Sequence, residues 1–263
     1  MPEMQVITSR ENPHAKRLDL LLRQKKAREE SGLFVLEGSR LCLDGVSAGL
    51  HPESLLLTQN ALDKNPEIAG IVSVAAQTII LSQTLAERLG DTKTPQGVFG
   101  VFRKPAPTDL EIKPQGRYLF LHRVKDPGNL GGVLRTAAAL GASAAIISEC
   151  AELYSPKTLR SSMGGVFRIP VVETEDIAGK LADFIQAGVE VFAAAPDPDG
   201  YTTEALLPPG GKAVLIGNEA NGLPNELISV CTGRIKLPMK NGADSLNAAI
   251  AGAILLWEML KGG

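Results

Sequence analysis

Apolar and polar positions divide this chain into two stretches with different rhythms. From His14 to Glu30, Leu18, Leu21 and Leu22 fall on one side at helical spacing and cations take the other. That pattern predicts an amphipathic helix, which Gly32 stops. Leu33–Leu36 reads as a short strand and Ser39 as the cap of a helix through Val46, with further strands at Ser54–Thr58, Ile71–Val74 and Val98–Phe102. After residue 116 the alternation becomes regular. Strands are expected at Arg117–Leu121, Ala144–Ser148, Val189–Ala194, Ala213–Gly217 and Arg234–Leu237, and helices at Leu130–Leu140, Asp176–Ala187, Pro224–Val230 and Leu246–Leu260. Apolar strands alternating with helices predict an α/β domain whose parallel sheet is covered on both faces. Between the two stretches, Arg103-Lys-Pro-Ala-Pro-Thr-Asp-Leu-Glu-Ile-Lys-Pro-Gln-Gly116 has the prolines and mixed charge of a linker. The predicted division is a small α/β domain over 1–104, a linker over 105–116 and a larger α/β domain over 117–263.

Composition narrows the class. At 263 residues and 44% hydrophobic, the chain can bury a substantial core. A net charge of −2 does not by itself mark a nucleic-acid binder, so the distribution of charge matters more than the sum. Arg10, Lys16, Arg17, Arg23, Lys25, Lys26 and Arg28 face only Glu11 and Asp19 within that window. This basic run is either a solvated helix face or a surface for RNA phosphate. Cys42, Cys150 and Cys231 form no CxxC and suit reduced thiols, and no metal-ligand spacing stands out. Met1 to Pro13 lacks a signal-peptide core, and the apolar run Ala248–Trp257 falls short of the ~20 residues that span a bilayer. A soluble, cytoplasmic protein with no membrane partner is expected.

In parallel sheets ligands bind beyond the carboxyl ends of the strands, so the loops after Leu121, Gly217 and Leu237 carry the interest. They read His122-Arg-Val-Lys-Asp-Pro-Gly-Asn-Leu-Gly-Gly-Val-Leu-Arg135, Gly217-Asn-Glu-Ala-Asn-Gly-Leu-Pro224 and Leu237-Pro-Met-Lys-Asn-Gly-Ala-Asp-Ser-Leu-Asn247. Local structure accounts for part of this: Asn129 and Ser245 as helix caps, Asn221-Gly222 as a turn, Pro224 at a first helical position. Arg135 is harder to explain locally. It sits among Val133, Leu134, Ala137, Ala138, Ala139 and Leu140, where a lone cation snorkels or finds an anion, either Glu219 or a nucleic-acid phosphate. Gly128, Gly131 and Gly132 do not make GxGxxG, and no P-loop pattern is present, which weakens a dinucleotide-binding reading.

Asp126-Pro-Gly-Asn-Leu-Gly…Arg135-Thr-Ala, Gly217-Asn-Glu…Gly222-Leu and Leu237-Pro-Met…Ser245-Leu-Asn247 resemble, in order and spacing, the three motifs of the TrmH/SpoU RNA methyltransferases. Tyr154-Ser-Pro-Lys-Thr-Leu-Arg-Ser-Ser-Met-Gly-Gly165 resembles a family segment between the first two. Phe34-Val-Leu-Glu-Gly38 and Thr94-Pro-Gln-Gly97 resemble the L30e-like substrate-binding domain often fused to this enzyme. The resemblance implies a SPOUT-type parallel sheet with a C-terminal trefoil knot behind a small L30e-like α/β domain. It implies S-adenosyl-L-methionine (AdoMet) as cofactor, without a metal, and methyl transfer to a ribose 2′-hydroxyl of RNA. Ribosomal RNA, 23S above all, is favoured over tRNA, and a homodimer is expected. Carried over by motif, Arg135, Asn129, Glu219, Ser245 and Asn247 are the catalytic candidates, and Ile216, Gly217, Asn218, Leu237, Met239 and Leu246 hold the cofactor. Lys16, Arg17, Arg23, Lys25, Lys26 and Arg160 are the candidates for RNA. Lys240-Asn241-Gly242 slightly extends the third loop relative to the family pattern. The competing reading is a non-catalytic RNA-binding or ribosome-assembly protein, against which the joint presence of Arg135, Glu219, Ser245 and Asn247 weighs.

Overall fold

The amphipathic pattern near the start of the chain folds as two helices rather than one. Asn12 caps α1 (Pro13–Arg23) by accepting from His14 N, and Ala15, Leu18, Leu21 and Leu22 are its buried residues. Backbone at Gln24 is extended (φ −117°, ψ 116°), and α2 (Lys25–Ser31) begins at once. The break has a tertiary cause that spacing does not reveal. Arg28 is buried and donates from Nη1 to Leu21 O at 2.6 Å and to Leu22 O at 3.4 Å, satisfying carbonyls that α1 leaves open at its end. Gly32, left-handed at φ 65°, ends α2 as its position predicted.

The computed structural model describes residues 6–92, 95–107, 109–195, 200–218, 221–239 and 246–261. It divides into two units, one of residues up to Ala106 together with Tyr154–Arg160, the other of Pro107–Leu153 and the chain from Ser161 onward. The boundary falls inside the expected linker. That linker is not free chain: Leu110 and Ile112 pack on the core of the second unit, and Lys113 N donates to Tyr118 Oη at 2.6 Å.

In the first unit β1 (Leu33–Glu37), α3 (Ser39–Ser47), β2 (Pro52–Thr58), α4 (Gln59–Lys64), α5 (Ile68–Val74), β3 (Thr78–Leu81), α6 (Gln83–Leu89) and β4 (Val98–Arg103) follow in order. They form a four-stranded sheet ordered β1-β4-β2-β3, antiparallel except between β2 and β3. The expected strand at Ile71–Val74 is the second half of α5, whose buried residues are Ile68 and Ile71, a helical i, i+3 pair. A short apolar run carries no period of its own, and here the neighbouring Thr78–Leu81 takes the place beside β2. Ser39 is the first residue of α3 and not its cap. Its N–H and Oγ point to Gln96 Oε1, at 3.1 and 3.4 Å.

The second unit comprises β5 (Arg117–His122), α7 (Pro127–Leu140), β6 (Ala144–Ser148), α8 (Pro156–Ser162, which begins in the segment assigned to the first unit), β7 (Val171–Glu173), α9 (Ile177–Gln186), β8 (Val189–Ala194), β9 (Gly211–Ile216), α10 (Asn225–Val230), β10 (Gly233–Ile235) and α11 (Ala248–Leu260). Its sheet is parallel throughout, six strands in the order β10-β8-β9-β5-β6-β7. Tyr118 and Phe120 of β5 meet Phe184 of α9 edge to face, with centroids 4.7 and 4.9 Å apart. The strand order turns back at the β9–β5 boundary, where Leu121 pairs with Ile216 and the two following loops leave side by side. Among the described residues no helix is long and apolar enough to cross a membrane.

Candidate active site

Two unusual residues mark the end of β5 and the start of the loop after it. His122 is 4% exposed, and burial, with Arg123 adding to it, holds its imidazole below the ordinary histidine range. Arg123 is left-handed at φ 59°, yet its N–H still reaches Ser148 O of β6 at 3.0 Å. Asp126 then caps α7 by accepting from Asn129 N at 2.9 Å, with Pro127 in the first turn. The cap expected at Asn129 is thus Asp126, and the Asn129 side chain is left for other work.

That work is a link to the third loop. Asn247 caps α11 by accepting from Ala249 N at 2.9 Å and Ile250 N at 3.3 Å, and its Nδ2 donates to Asn129 Oδ1 at 3.0 Å. Small residues let the two helices come together. A Cβ at Gly252 of α11 would lie 2.6 Å from Val133 Cγ2 of α7 and 3.0 Å from Ile216 Cδ1 of β9. The second loop joins through Asn218, whose Nδ2 donates to Arg123 O at 2.9 Å while its Oδ1 accepts from Asn221 N at 3.1 Å. Gly222, at φ 64°, closes that turn by exchanging backbone hydrogen bonds with Asn218. Gly217 has no room for a side chain, since a Cβ would lie 2.5 Å from Gly222 O. Two asparagine side chains therefore tie all three loops together beyond the carboxyl ends of β5 and β9.

Arg135 lies on the exposed side of α7 and makes no hydrogen bond or ion pair with another described residue. Six residues beyond Asn129, it is turned about 120° around the helix, so the structure does not bring these two candidates together. Its backbone is covered instead by the turn before β7: a Cβ on Gly165 would stand 2.8 Å from Arg135 Cα. Glu219 and Ser245 lie outside the described residues, as do Thr94 and Lys240-Asn241-Gly242. Pro224 precedes α10 as its N-cap instead of opening it.

The basic residues proposed for RNA are each held by a carboxylate. Lys16 pairs with Glu11 at 2.5 Å, Arg17 with Glu53 at 2.6 Å, Arg23 with Asp19 at 2.9 Å, Lys25 with Glu29 at 3.3 Å and Lys26 with Glu30 at 3.7 Å. Arg160, within the first unit as the contacts divide it, binds Asp91 at 2.6 Å and the buried Glu37 at 3.4 Å. Glu37 also accepts from Thr92 Oγ1 at 2.9 Å. The two motifs of this unit are adjacent, with Gly38 N donating to Val98 O at 2.8 Å beside the Ser39–Gln96 contacts. Burial pushes the Cys42 thiol up to about 12 and those of Cys150 and Cys231 to about 11, so none is a ready nucleophile. Among the described residues no group of three or more His, Cys, Asp or Glu side chains could hold a metal ion.

The profile of the SpoU rRNA Methylase family matches residues 116–257, more than half of the chain. The chain belongs to the SpoU rRNA methylase family. Residues 5–100 match the MRM3-like substrate binding domain. Among relatives of this SpoU protein, the 23S rRNA (guanosine(2553)-2′-O)-methyltransferase RlmP of Bacillus subtilis is 30% identical, over 90% of this chain and 92% of that one. The 23S rRNA (uridine(2479)-2′-O)-methyltransferase of Streptomyces viridochromogenes is also 30% identical, over 99% and 93%. The AdoMet-bound rRNA methyltransferase from Sinorhizobium meliloti superposes with a TM-score of 0.85 at 31% identity, covering 98% of this chain and 97% of that one. The SpoU protein described here is accordingly an RNA methyltransferase with AdoMet as methyl donor.

The residues present fit that cofactor. Gly217 and Leu237 follow the ends of β9 and β10, strands separated only by β8, at the same edge of the parallel sheet. Among the described residues no backbone–backbone hydrogen bond outside the helices and strands commits Leu237, Met239 or Leu246. Reading the motifs gives no role to Arg123 and Glu149, whose signal is charge at the ends of buried strands, and gives Asp126 no capping role although an aspartate before Pro-Gly is a cap signal.

Proposed function

We propose that this SpoU enzyme transfers the methyl group of AdoMet to a ribose 2′-hydroxyl of 23S rRNA, acting in the cytoplasm as a homodimer. The observation that carries the reading is the junction of the three motif loops through Asn129–Asn247 and Asn218–Arg123. It joins Asn218 and Asn247, chain neighbours of the proposed cofactor residues Gly217 and Leu246, to the loop that opens α7, the helix of Arg135. When bound, AdoMet supplies an electrophilic sulfonium methyl. The protein must then orient a ribose hydroxyl, exclude water and stabilise the charge that develops on its oxygen.

Arg135 suits the last task. A guanidinium remains protonated at any working pH, so it serves as an electrostatic partner for the incipient alkoxide or the adjacent phosphate and not as the base. Asn129 and Asn247 fix the loops, and Glu219 and Ser245 are proposed to orient Arg135 and the ribose. The two 23S-directed relatives support large-subunit RNA as substrate. Because Lys16, Arg17, Arg23, Lys25, Lys26 and Arg160 are all ion-paired, shape carries more of this recognition than net charge. Threading of the C-terminal segment into a trefoil knot belongs to the same proposal.

The proposed dimer uses α11. Ile250, Ile254 and Trp257 recur at i, i+4 and i+7 and are 54%, 39% and 56% exposed, an apolar stripe suited to the same stripe of a second copy. The deciding experiment incubates the enzyme with labelled AdoMet and rRNA from cells that lack it, followed by nucleoside analysis. Label in one 2′-O-methylnucleoside of 23S rRNA is expected. Label in a base, or in tRNA alone, would overturn the reading.

A further inference from the structure

Two strand ends next to the proposed site share a feature that the methyl-transfer chemistry does not itself require. β5 ends in His122 and is followed by Arg123 at φ 59°. β6 ends in Ser148, paired with His122 in register, and is followed by Glu149 at φ 50°. Left-handed backbone disfavours any residue with a Cβ, and glycine is the usual occupant. Here both positions carry long charged side chains, and the two meet in a bidentate ion pair, Nε to Oε2 at 2.8 Å and Nη2 to Oε1 at 3.1 Å. Arg123 holds the Glu149 carboxyl below the usual carboxylate range.

The backbone between them explains what the pair achieves. Arg123 N stays in the sheet, donating to Ser148 O at 3.0 Å, and Ala151 N donates to Val124 O at 2.8 Å, so the two turns run alongside each other. The left-handed twist at Arg123 then turns its carbonyl away from β6 and toward Asn218, which donates to it at 2.9 Å. A glycine at 123 would allow the same turn but would also allow others. The side-chain pair removes those alternatives.

We infer that Arg123 and Glu149 form a clamp that aims the Arg123 carbonyl at Asn218, making both of them positioning residues for Gly217 and Asn218. The inference rests on the reading of Gly217 and Asn218 as part of the cofactor seat. A direct contact of Arg123 with RNA is the rival role for the same cation.

Charge reversal separates the possibilities. Arg123→Glu and Glu149→Arg, each alone, should weaken AdoMet affinity measured by calorimetry without RNA about three- to tenfold, with a comparable loss of turnover. The double variant Arg123→Glu/Glu149→Arg should return both to within about twofold of the unaltered enzyme. Arg123→Gly, which relaxes the backbone and deletes the pair, should match the single reversals. If either reversal fails to fold, Glu149→Gln, which keeps shape and an acceptor, carries the same expectation at smaller amplitude. Unchanged AdoMet affinity in the single variants, or no recovery in the double one, overturns the clamp, and lost RNA affinity without recovery assigns Arg123 to RNA. Asn218→Ala is the control for the underlying reading: if it leaves AdoMet binding intact, the proposed seat fails, whatever the clamp variants do.

Discussion

Asn247 performs two tasks that substitution can separate. Its Oδ1 caps α11 through two backbone N–H groups, at 2.9 and 3.3 Å, and its Nδ2 crosses to Asn129 at 3.0 Å. Replacing an asparagine cap with alanine costs about 1 kcal/mol. Losing the exposed link to Asn129 adds about 0.5–1 kcal/mol, the lower half of the usual range. Asn247→Ala should therefore destabilise the second unit by about 1.5–2 kcal/mol. Asn247→Ser keeps a capping oxygen of equal rank but is too short to reach Asn129, so only the 0.5–1 kcal/mol of the link, roughly, is lost. If the link acts in the transition state by holding the loops together, that energy converts to roughly a two- to fivefold fall in turnover. The assay is urea unfolding of both variants beside methyl transfer at saturating AdoMet. Serine should fall between wild type and alanine in stability and match alanine in activity. Full turnover in Asn247→Ser would refute the functional role of the link, and equal destabilisation of the two variants would refute the capping argument.

Three further expectations follow from the same geometry. Arg135→Ala should abolish methyl transfer while AdoMet binding, read by calorimetry, stays nearly intact; equal loss of both would make Arg135 a structural residue. Burial holds the folded His122 imidazole below the ordinary histidine value of 6.5, so as pH falls the unfolded chain binds the extra proton first. Its contribution to stability is complete above pH ~6.5 and falls as pH drops below that, by at most about 1.4 kcal/mol per unit. Urea unfolding at pH 5.5 and 7.5 should show a smaller difference for His122→Gln than for the native chain, and identical differences would exclude His122 as the cause. Trp257→Glu should convert the proposed dimer to monomer in light scattering and reduce turnover, whereas an unchanged mass would remove α11 from the interface.

What the sequence discloses depends on whether its cause is local. β6 and β8 lie at Ala144–Ser148 and Val189–Ala194, as the apolar runs between helical stretches predicted. β7 leaves no signal in the sequence because Val171–Glu173 is three residues long, with half-buried valines and no clear pattern. The break between α1 and α2 depends on Arg28 reaching back to the end of α1, a tertiary contact that leaves no trace in spacing. The loops of the site were legible as dense glycine and asparagine, but their internal wiring was not. Asp126 and Asn129 are both good caps, and only the fold decides that the aspartate takes that role and frees the asparagine for Asn247. The left-handed conformation of Arg123 and Glu149 was invisible for the opposite reason: nothing in an arginine or a glutamate announces it.

The same distinction bears on how RNA is held. Counted along the chain, the first helices are strongly basic, but folding brings Glu29, Glu30 and Glu53 to that surface as well, and each exposed cation of the run acquires a partner. Exposed pairs of this kind contribute little stability, so they are not there to hold the helices. Their effect is to lower the potential that would attract any polyanion. Arg135 and Lys125, on the second unit, stand exposed without such a carboxylate among the described residues. Unneutralised positive charge stands on both units among the described residues, since Lys64 and Arg88 of the first are exposed without an ion-pair partner as well. Charge alone therefore does not mark an RNA surface, and on the proposed reading a folded RNA that presents one ribose to α7 is favoured over any RNA that merely offers phosphates.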